Sequence, residues 1–507
     1  MKKTLAVYTL GCRVNAFEAA CMRDAARNAG WTIVDWDCGA DVGIVNSCAL
    51  TKLAEAKTRQ TIRIFARKNP HCKIAITGCY AQTSPESLAA MGLENIAWIV
   101  DNKSKGSIVQ IISDGVFGCA DGGSDSIGAA RASTTTTVVS QNVCSGAAGE
   151  SAGAAESARE STSAVECSEI AGGGLSESRK EATVNVSAVG GGSASKKCPP
   201  SAGSKELSSS GDTPLDDRMN LKIQDGCDNA CAYCIIPRAR GLPRSMDFDA
   251  IVHDAENLVS RGVRELVLTG INISKFSTPR GGLIELIDRL NEIENLYRLR
   301  LGSVEPPLLP LEAVLERAAD SSHALMPHLH ISAQSLSDAV LARMRRHYTA
   351  RDFLDMVEKC VAGCADISIG GDIICGHPGE TRAEFDLTKR LLADSPMSYA
   401  HVFTFSPRPK TLAWTMKDVP EPAERKARAD ELREVAARLH LRFAETQVGK
   451  VRPLLLENKI SDGAYFAHTD NYIQASVALA KDGMKNALVR ARIARANSDG
   501  SVCCELL

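Results

Sequence analysis

The chain has 507 residues, 59 Lys plus Arg against 61 Asp plus Glu, and a formal net charge of −2. That length allows about three domains and at least one large core, and the near balance of charge confines any nucleic-acid contact to local basic patches. Its 18 cysteines, in a chain too long for a small disulfide scaffold, point to metal or redox chemistry in the cytoplasm, and no stretch approaches the ~20 apolar residues that span a membrane.

The opening MKKTLAVYTLGC has the basic end and apolar run of an export leader. The run is short and broken by Tyr8 and Thr9, whereas Leu5, Val7 and Leu10 fit a buried strand, so no export is expected. Through residue 117, the strand-like TLAVYTL, DVGIVNS, CKIAITG and AWIVD alternate with helical patterns such as NAFEAACMRDAARNAG. This rhythm predicts an α/β domain over residues 1–117, a doubly wound parallel sheet with helices on both faces. Cys12, Cys48 and Cys79 each follow one of these strands, behind the small residues Gly11, Ser47 and Gly78. Parallel strand ends converge on one edge, where distant thiols can meet. Position alone leaves open a joint site and three ordinary buried cysteines.

Residues 118–213 change character. Ala, Gly, Ser and Thr dominate, and no aromatic residue occurs from Gly118 to Ala232. Such a stretch cannot bury enough apolar surface to offset its ordering entropy, so a disordered linker is expected, with Cys119, Cys144, Cys167 and Cys198 incidental to it.

Over residues 214–444, the runs MNLKIQ, RELVLTG, YRLRLGS, HLHISAQ, DISIGGDIICG and YAHVFTFS are separated by helical patterns. Six β-α units predict a partial parallel barrel with the strand carboxyl ends around one mouth. Directly after the first run stands IQDGCDNACAYCIIPRARG, with Cys227, Cys231 and Cys234 in CxxxCxxC spacing. Three thiolates in one loop can hold three corners of a cubic iron–sulfur cluster. A structural zinc site needs a fourth ligand, but the next cysteine is Cys360 and the next histidine, His253, falls on a predicted helix. The iron without a protein ligand is then open to a reactant. Gly270, Asn272, Ser332, Gln334 and Asp372 lie at the ends of later strands, where glycine turns and polar groups suit a nucleotide-like ligand. Fold maintenance by those glycines is the plainer alternative.

Residues 445–507 contain short β-rich runs and turn residues, the pattern of a small β-barrel. Possible RNA contacts are Arg59, Arg63 and Arg67 on one helix face, the patch Arg343 to Tyr348, and Tyr465, His468, Asn471 and Tyr472 as stacking groups. A charged helix face is more often only a solvated face.

The string around Cys227, Cys231 and Cys234, with Tyr233 in the aromatic slot before the third cysteine, resembles the radical S-adenosylmethionine enzymes. LGCRVNAFE, NSCALT and TGCYAQ resemble the amino-terminal domain of their methylthiotransferase branch, and residues 445–507 resemble a TRAM domain. Within that branch, QDGCDNACAYC is most similar to the subgroup acting on threonylcarbamoyladenosine in tRNA. The resemblance covers the whole chain except the linker. It implies two 4Fe–4S clusters, one on Cys227, Cys231 and Cys234 and one on Cys12, Cys48 and Cys79, with Asn15 shaping the first loop. It also implies S-adenosylmethionine as radical source and methyl donor. The radical removes hydrogen from carbon 2 of the adenine, sulfur is delivered at the second cluster, and a methyl group follows. Expected partners are a tRNA anticodon loop, an electron donor such as a flavodoxin or ferredoxin, and a sulfur source. Three positions depart from the family's pattern: Arg238 for a tyrosine, Leu336 for a glycine and His377 for an aromatic residue. The same chemistry on isopentenyladenosine tRNA or a ribosomal-protein aspartate, and a non-catalytic iron–sulfur RNA-binding protein, are the rival readings.

Overall fold

The structure, a computed structural model, describes residues 3–117, 137–139, 218–461, 463–478 and 483–507. The amino-terminal strands are β1 (Thr4–Thr9), β2 (Thr32–Ile33), β3 (Val42–Ser47), β4 (Lys73–Gly78), β5 (Ile96–Val100) and β6 (Thr137–Val139). They form one sheet in the order β2-β1-β3-β4-β5-β6, with every pairing parallel. Strand β3 is buried along its whole length, as a strand covered on both faces must be. Its alternation sends Val42 and Ile44 to one core with Met22 of α1 (Arg13–Asn28), and Val45 to another with Phe65 of α2 (Lys52–Lys68).

Strand β6 corrects part of the linker expectation. Thr137, Val138 and Val139 are β-branched, suit a pleated edge, and pair with Trp98 to Val100. The rest of the stretch read as a tether lies outside the described residues.

The six runs of the central domain are six strands: β7 (Arg218–Lys222), β8 (Glu265–Thr269), β9 (Arg298–Leu301), β10 (His328–Gln334), β11 (Ser368–Cys375) and β12 (Tyr399–Thr404). The pairs β7–β8–β9 and β10–β11–β12 are parallel. A short piece, Ser303–Val304, pairs with β10, and a bridge from Leu299 to Leu325 continues the wall. Strands β7 and β12 are the free edges, so the barrel is open between them. Helix α1 lies beside β7, and the long helix Pro422–Gln447 beside β12.

A closed five-stranded barrel, from Val451–Ser461 to Val502–Leu506, ends the chain. It seats on the central barrel through two arginines that are each 1% exposed. Arg298 donates to the carbonyls of His468 at 3.0 Å and Pro453 at 2.7 Å, and Arg300 to those of Asp470 at 2.7 Å and Thr469 at 3.0 Å. Glu265 accepts from both, at 3.4 and 2.8 Å. A buried guanidinium is tolerable only with its charge paired and its donors used, and here both conditions are met. Among the described residues, no helix is long and apolar enough to cross a membrane.

Candidate active site

In the amino-terminal sheet, chain order reverses beside β1, so the ends of β1 and β3 border the crevice where such folds place ligands. Thr9 is level with Asn46, and Asn46 with Thr77. Cys12, Cys48 and Cys79 leave the sheet just beyond these residues, at one edge. Gly11, at φ +105°, passes so close that an added Cβ would lie 2.9 Å from the Cys48 sulfur. Gly78, at φ +95°, has no room for a Cβ against the Ser47 backbone. Asn15 ties the loop together: its Nδ2 donates to the Leu10 carbonyl at 2.7 Å and the Ser47 carbonyl at 3.0 Å.

The barrel cysteines line an open pocket of about 390 Å³, with Arg238, Leu242, Lys410 and Leu412 among its walls. Gly226, at φ +72°, lets the loop turn hard against the Leu242 carbonyl. The Asn229 amide donates to the Cys227 sulfur at 3.4 Å, and Arg346 Nη1 to the Cys231 sulfur at 3.3 Å. Arg346 is in turn paired with Glu305 at 2.6 Å.

Burial pushes the Cys48 and Cys234 thiols up to about 12 and also raises Cys12 and Cys227. A metal entering either triad must therefore displace protons. Around one tetrahedral zinc, thiolates at 2.3 Å would stand about 3.8 Å apart. Among the described residues, neither triad brings all three sulfurs within 4.8 Å of one another. Three sulfur donors in one loop suit an iron–sulfur cluster.

The two triads are joined by packed structure. The short helix Ile236–Arg240 follows Cys234, and Ile235 and Ala239 pack with Cys79, Tyr80 and Ala81. Arg240 crosses to the other domain. Its Nη1 donates to Glu18 at 2.9 Å and Asp225 at 3.0 Å, and its Nη2 to Asn15 Oδ1 at 2.6 Å. Lys105 and Lys222 also hold Glu18, at 2.7 and 3.0 Å. Burial alone would raise the Glu18 carboxyl, but Lys105, Arg240 and Lys222 hold it well below the usual carboxylate range. The Arg240 charge also acts on Cys12 and Cys48. Arg240 was not singled out from the sequence, and Arg346 only within the basic patch Arg343 to Tyr348, as an RNA contact; the signal was their place in charged runs beside the motifs.

The other candidates fare unevenly. Asn272 is buried with its Oδ1 unpartnered, as a ligand-binding amide would be. Gly270 is explained by packing, since a Cβ there would meet Gln224 at 2.9 Å. Buried Gln224, also missed, accepts from the amides of Ile271 and Asn272 and donates into the cluster loop at Asp225 and Gly226. Gln334 adopts φ +61° at a register shift in β10, a strained setting found at functional sites. The Ser332 carbonyl accepts from the Tyr348 hydroxyl at 2.5 Å, and Asp372 is engaged by two imidazoles. Tyr233 packs beside Ala232, Phe405 and Ala413, edge-on to His377 at 6.4 Å. Of the three departures, Leu336 and His377 are core residues and Arg238 faces the pocket.

Several expected RNA contacts are corrected. Tyr465 is buried in the terminal barrel's own core, while His468 and Asn471 are buried and Tyr472 packs against His328 where that barrel meets the central one. Arg343 is paired with Glu384, Arg346 donates to the Cys231 sulfur, and the Tyr348 hydroxyl donates to the Ser332 and Ala333 carbonyls of β10. Arg63 and Arg67 remain exposed, while Arg59 donates to the Tyr80 hydroxyl at 2.7 Å.

Residues 221–392 match the radical SAM superfamily, and residues 4–99 match the family described as Uncharacterized protein family UPF0004. A parallel barrel with a three-cysteine loop after its first strand thus defines a radical S-adenosylmethionine enzyme. The threonylcarbamoyladenosine tRNA methylthiotransferase MtaB of Thermotoga maritima is 31% identical over 93% of this chain and 91% of its own. The Bacillus subtilis protein of that name is 28% identical over 97% and 94%. A tRNA-2-methylthio-N(6)-dimethylallyladenosine synthase of Ruegeria sp. is 33% identical over 57% and 65%. The chain belongs to the radical S-adenosylmethionine methylthiotransferase family. Membership carries S-adenosylmethionine and a 4Fe–4S cluster as cofactors.

Proposed function

We propose that the protein is a tRNA methylthiotransferase that converts threonylcarbamoyladenosine beside the anticodon into its 2-methylthio derivative. The observation that carries this reading is the pair of separate thiol triads joined through Arg240 and the Ile236–Arg240 helix. The substrate assignment is supported by coverage: relatives named for threonylcarbamoyladenosine match 93% and 97% of the chain, the dimethylallyladenosine relative 57%.

In this reading Cys227, Cys231 and Cys234 hold the cluster that binds S-adenosylmethionine, and Cys12, Cys48 and Cys79 hold a second. Together these groups supply a carbon-centred oxidant for the adenine C2–H bond, a sulfur atom and a methyl group. The chain's own residues position them. Arg346 and the Asn229 amide steady two cysteine sulfurs. Asn272 offers its free oxygen to the cofactor, with Ser332, Gln334 and Gly270 at neighbouring strand ends, and Tyr233 packs beneath the loop. Glu18, Arg240 and Asp225 fix one domain against the other.

RNA meets the rim of the cluster pocket, where Leu242 is 75% and Trp414 47% exposed. Arg238, Lys410 and Lys52 stand among them, Lys52 Nζ lying 5.6 Å from the Trp414 ring. Exposed rings and alkyl groups between cations suit splayed loop bases, and the reacting base must leave its stack to reach the pocket. An electron donor and a sulfur source complete the cycle. Mass spectrometry of tRNA nucleosides from cells lacking the protein tests the assignment: 2-methylthio-threonylcarbamoyladenosine disappears and its unthiolated precursor accumulates. Unchanged levels, or loss of a different methylthio nucleoside, refute it.

A further inference from the structure

Below the mouth of the barrel, β10, β11 and β12 bring five polar side chains together. Asp372 Oδ1 lies 3.1 Å from His330 Nε2 and 3.5 Å from His401 Nδ1. The Tyr399 hydroxyl lies 2.8 Å from His328 Nε2 and 3.3 Å from His330 Nδ1. Strand register produces the cluster: His330 is level with Gly370, Gly370 with Tyr399, and Asp372 with His401. Gly370 makes room, since a Cβ there would fall 1.9 Å from the Tyr399 ring.

A barrel interior built only for stability is filled with branched aliphatic side chains. This one has gathered imidazoles, a carboxylate and a phenol, whose desolvation must be offset by partners. His330 uses both ring nitrogens within the cluster, but the His401 side chain is 58% exposed and its Nε2 has no partner among the described residues. Burial works against ionisation of Asp372, yet the hydrogen bonds from His330 and His401 hold its carboxyl well below the usual range. His401 therefore directs Nδ1 at a carboxylate and leaves Nε2 open to a further ligand.

A full positive charge stands nearby. Arg13 opens α1, the helix beside free edge β7, and makes no ion pair or hydrogen bond among the described residues. Burial lowers His328 below the usual imidazole range, and Arg300, His330 and Arg13 add to that effect; Arg13 acts on Tyr399 as well. Helix α1, which Arg13 opens, thus stands at β7 on one side of the barrel's opening, and His401 lies on β12 at the other.

We propose that His401, backed by Asp372, and Arg13 form a receptor for a carboxylate carried by the substituent of the modified adenosine, selecting an acidic substituent over a hydrocarbon one. This rests on the substrate reading above and adds the residues that enforce it. Arg13 is exposed and His401 mostly so, and the selection comes from the charge-assisted hydrogen bond that an acid gains at Arg13 and a neutral analogue does not.

The test uses the full chain, reconstituted without oxygen, and three anticodon stem-loop RNAs. One carries threonylcarbamoyladenosine, one its methyl ester, and one isopentenyladenosine. Initial rates of 2-methylthio product give kcat/KM for each. The wild type favours the acid over the ester by about tenfold to a hundredfold. Arg13→Gln and His401→Asn each reduce that preference to about threefold or less, and Arg13→Lys restores most of it. Iron per chain and thermal midpoint identify any misfolded variant, and His401→Asn, altering a mostly exposed ring, supplies the independent arm. Equal use of acid and ester by the wild type, or an unchanged preference in both variants, overturns the receptor while leaving the substrate reading intact. Activity on the isopentenyl RNA alone overturns the substrate reading itself. A stoichiometric non-iron metal lost in His401→Asn would show the cluster to be a metal site and also overturn the receptor.

Discussion

Arg240→Met tests whether one buried side chain holds the two thiol triads in register. The side chain is 1% exposed and joins Glu18, Asp225 and Asn15. Breaking a buried ion pair costs about 3–5 kcal/mol when the remaining charge is stranded. Here Glu18 keeps Lys105 and Lys222, and Asp225 keeps Lys222 at 2.7 Å and Arg244 at 2.8 Å. The low end, about 3 kcal/mol, therefore applies, or roughly a hundredfold in the local opening equilibrium. Hydrogen exchange followed by mass spectrometry, on protein kept free of oxygen, reads that opening directly. Amides of α1 and the Ile236–Arg240 helix exchange about a hundredfold faster in the variant, while those of the terminal barrel do not change. Methylthio product falls more steeply than 5′-deoxyadenosine release if, as proposed, sulfur is delivered from the amino-terminal triad. Wild-type exchange in α1, together with an unchanged product ratio, would refute the reasoning.

Cys227→Ala abolishes S-adenosylmethionine cleavage, whereas Cys48→Ala retains cleavage and loses sulfur insertion; equal loss of both in an assay for 5′-deoxyadenosine and methylthio product would argue against separate clusters. Burial lowers His377 to about 4, so the neutral ring's contribution is complete above pH 6.5 and is lost as pH falls from 6.5 towards 4. That loss reaches about 2 kcal/mol at pH 5; His377→Phe, in a slot lined by Tyr233 and Phe405, flattens the fall in thermal midpoint between pH 7 and pH 5. Trp414→Ala weakens binding of an anticodon stem-loop about tenfold or more, the loss of one stacked base, in a fluorescence titration.

The close spacing of Cys227, Cys231 and Cys234 and the six barrel strands were legible because each is local, whereas Cys12, Cys48 and Cys79 stand far apart in the chain and their position alone left a joint site open. The linking groups were not legible. Arg240 meets Glu18 and Asn15 across 222 and 225 residues of sequence, and nothing within the run PRARG separates a buried guanidinium from a solvated one. RLRL, at Arg298 to Leu301, alternates as a half-exposed strand would, yet all four residues are buried because another domain covers the polar face. The same covering misled the RNA reading of His468 and Asn471, whose polarity serves contacts within the protein. Asp372 was picked out as a polar strand end, but the imidazoles beside it lie on other strands and became its partners only through register.

The seat formed by Arg298, Arg300 and Glu265 makes the last five strands a fixed gauge instead of a swinging arm. Severing the chain after Gln447 would strip Arg298 and Arg300 of the four carbonyls they hold and open the floor of the barrel to water.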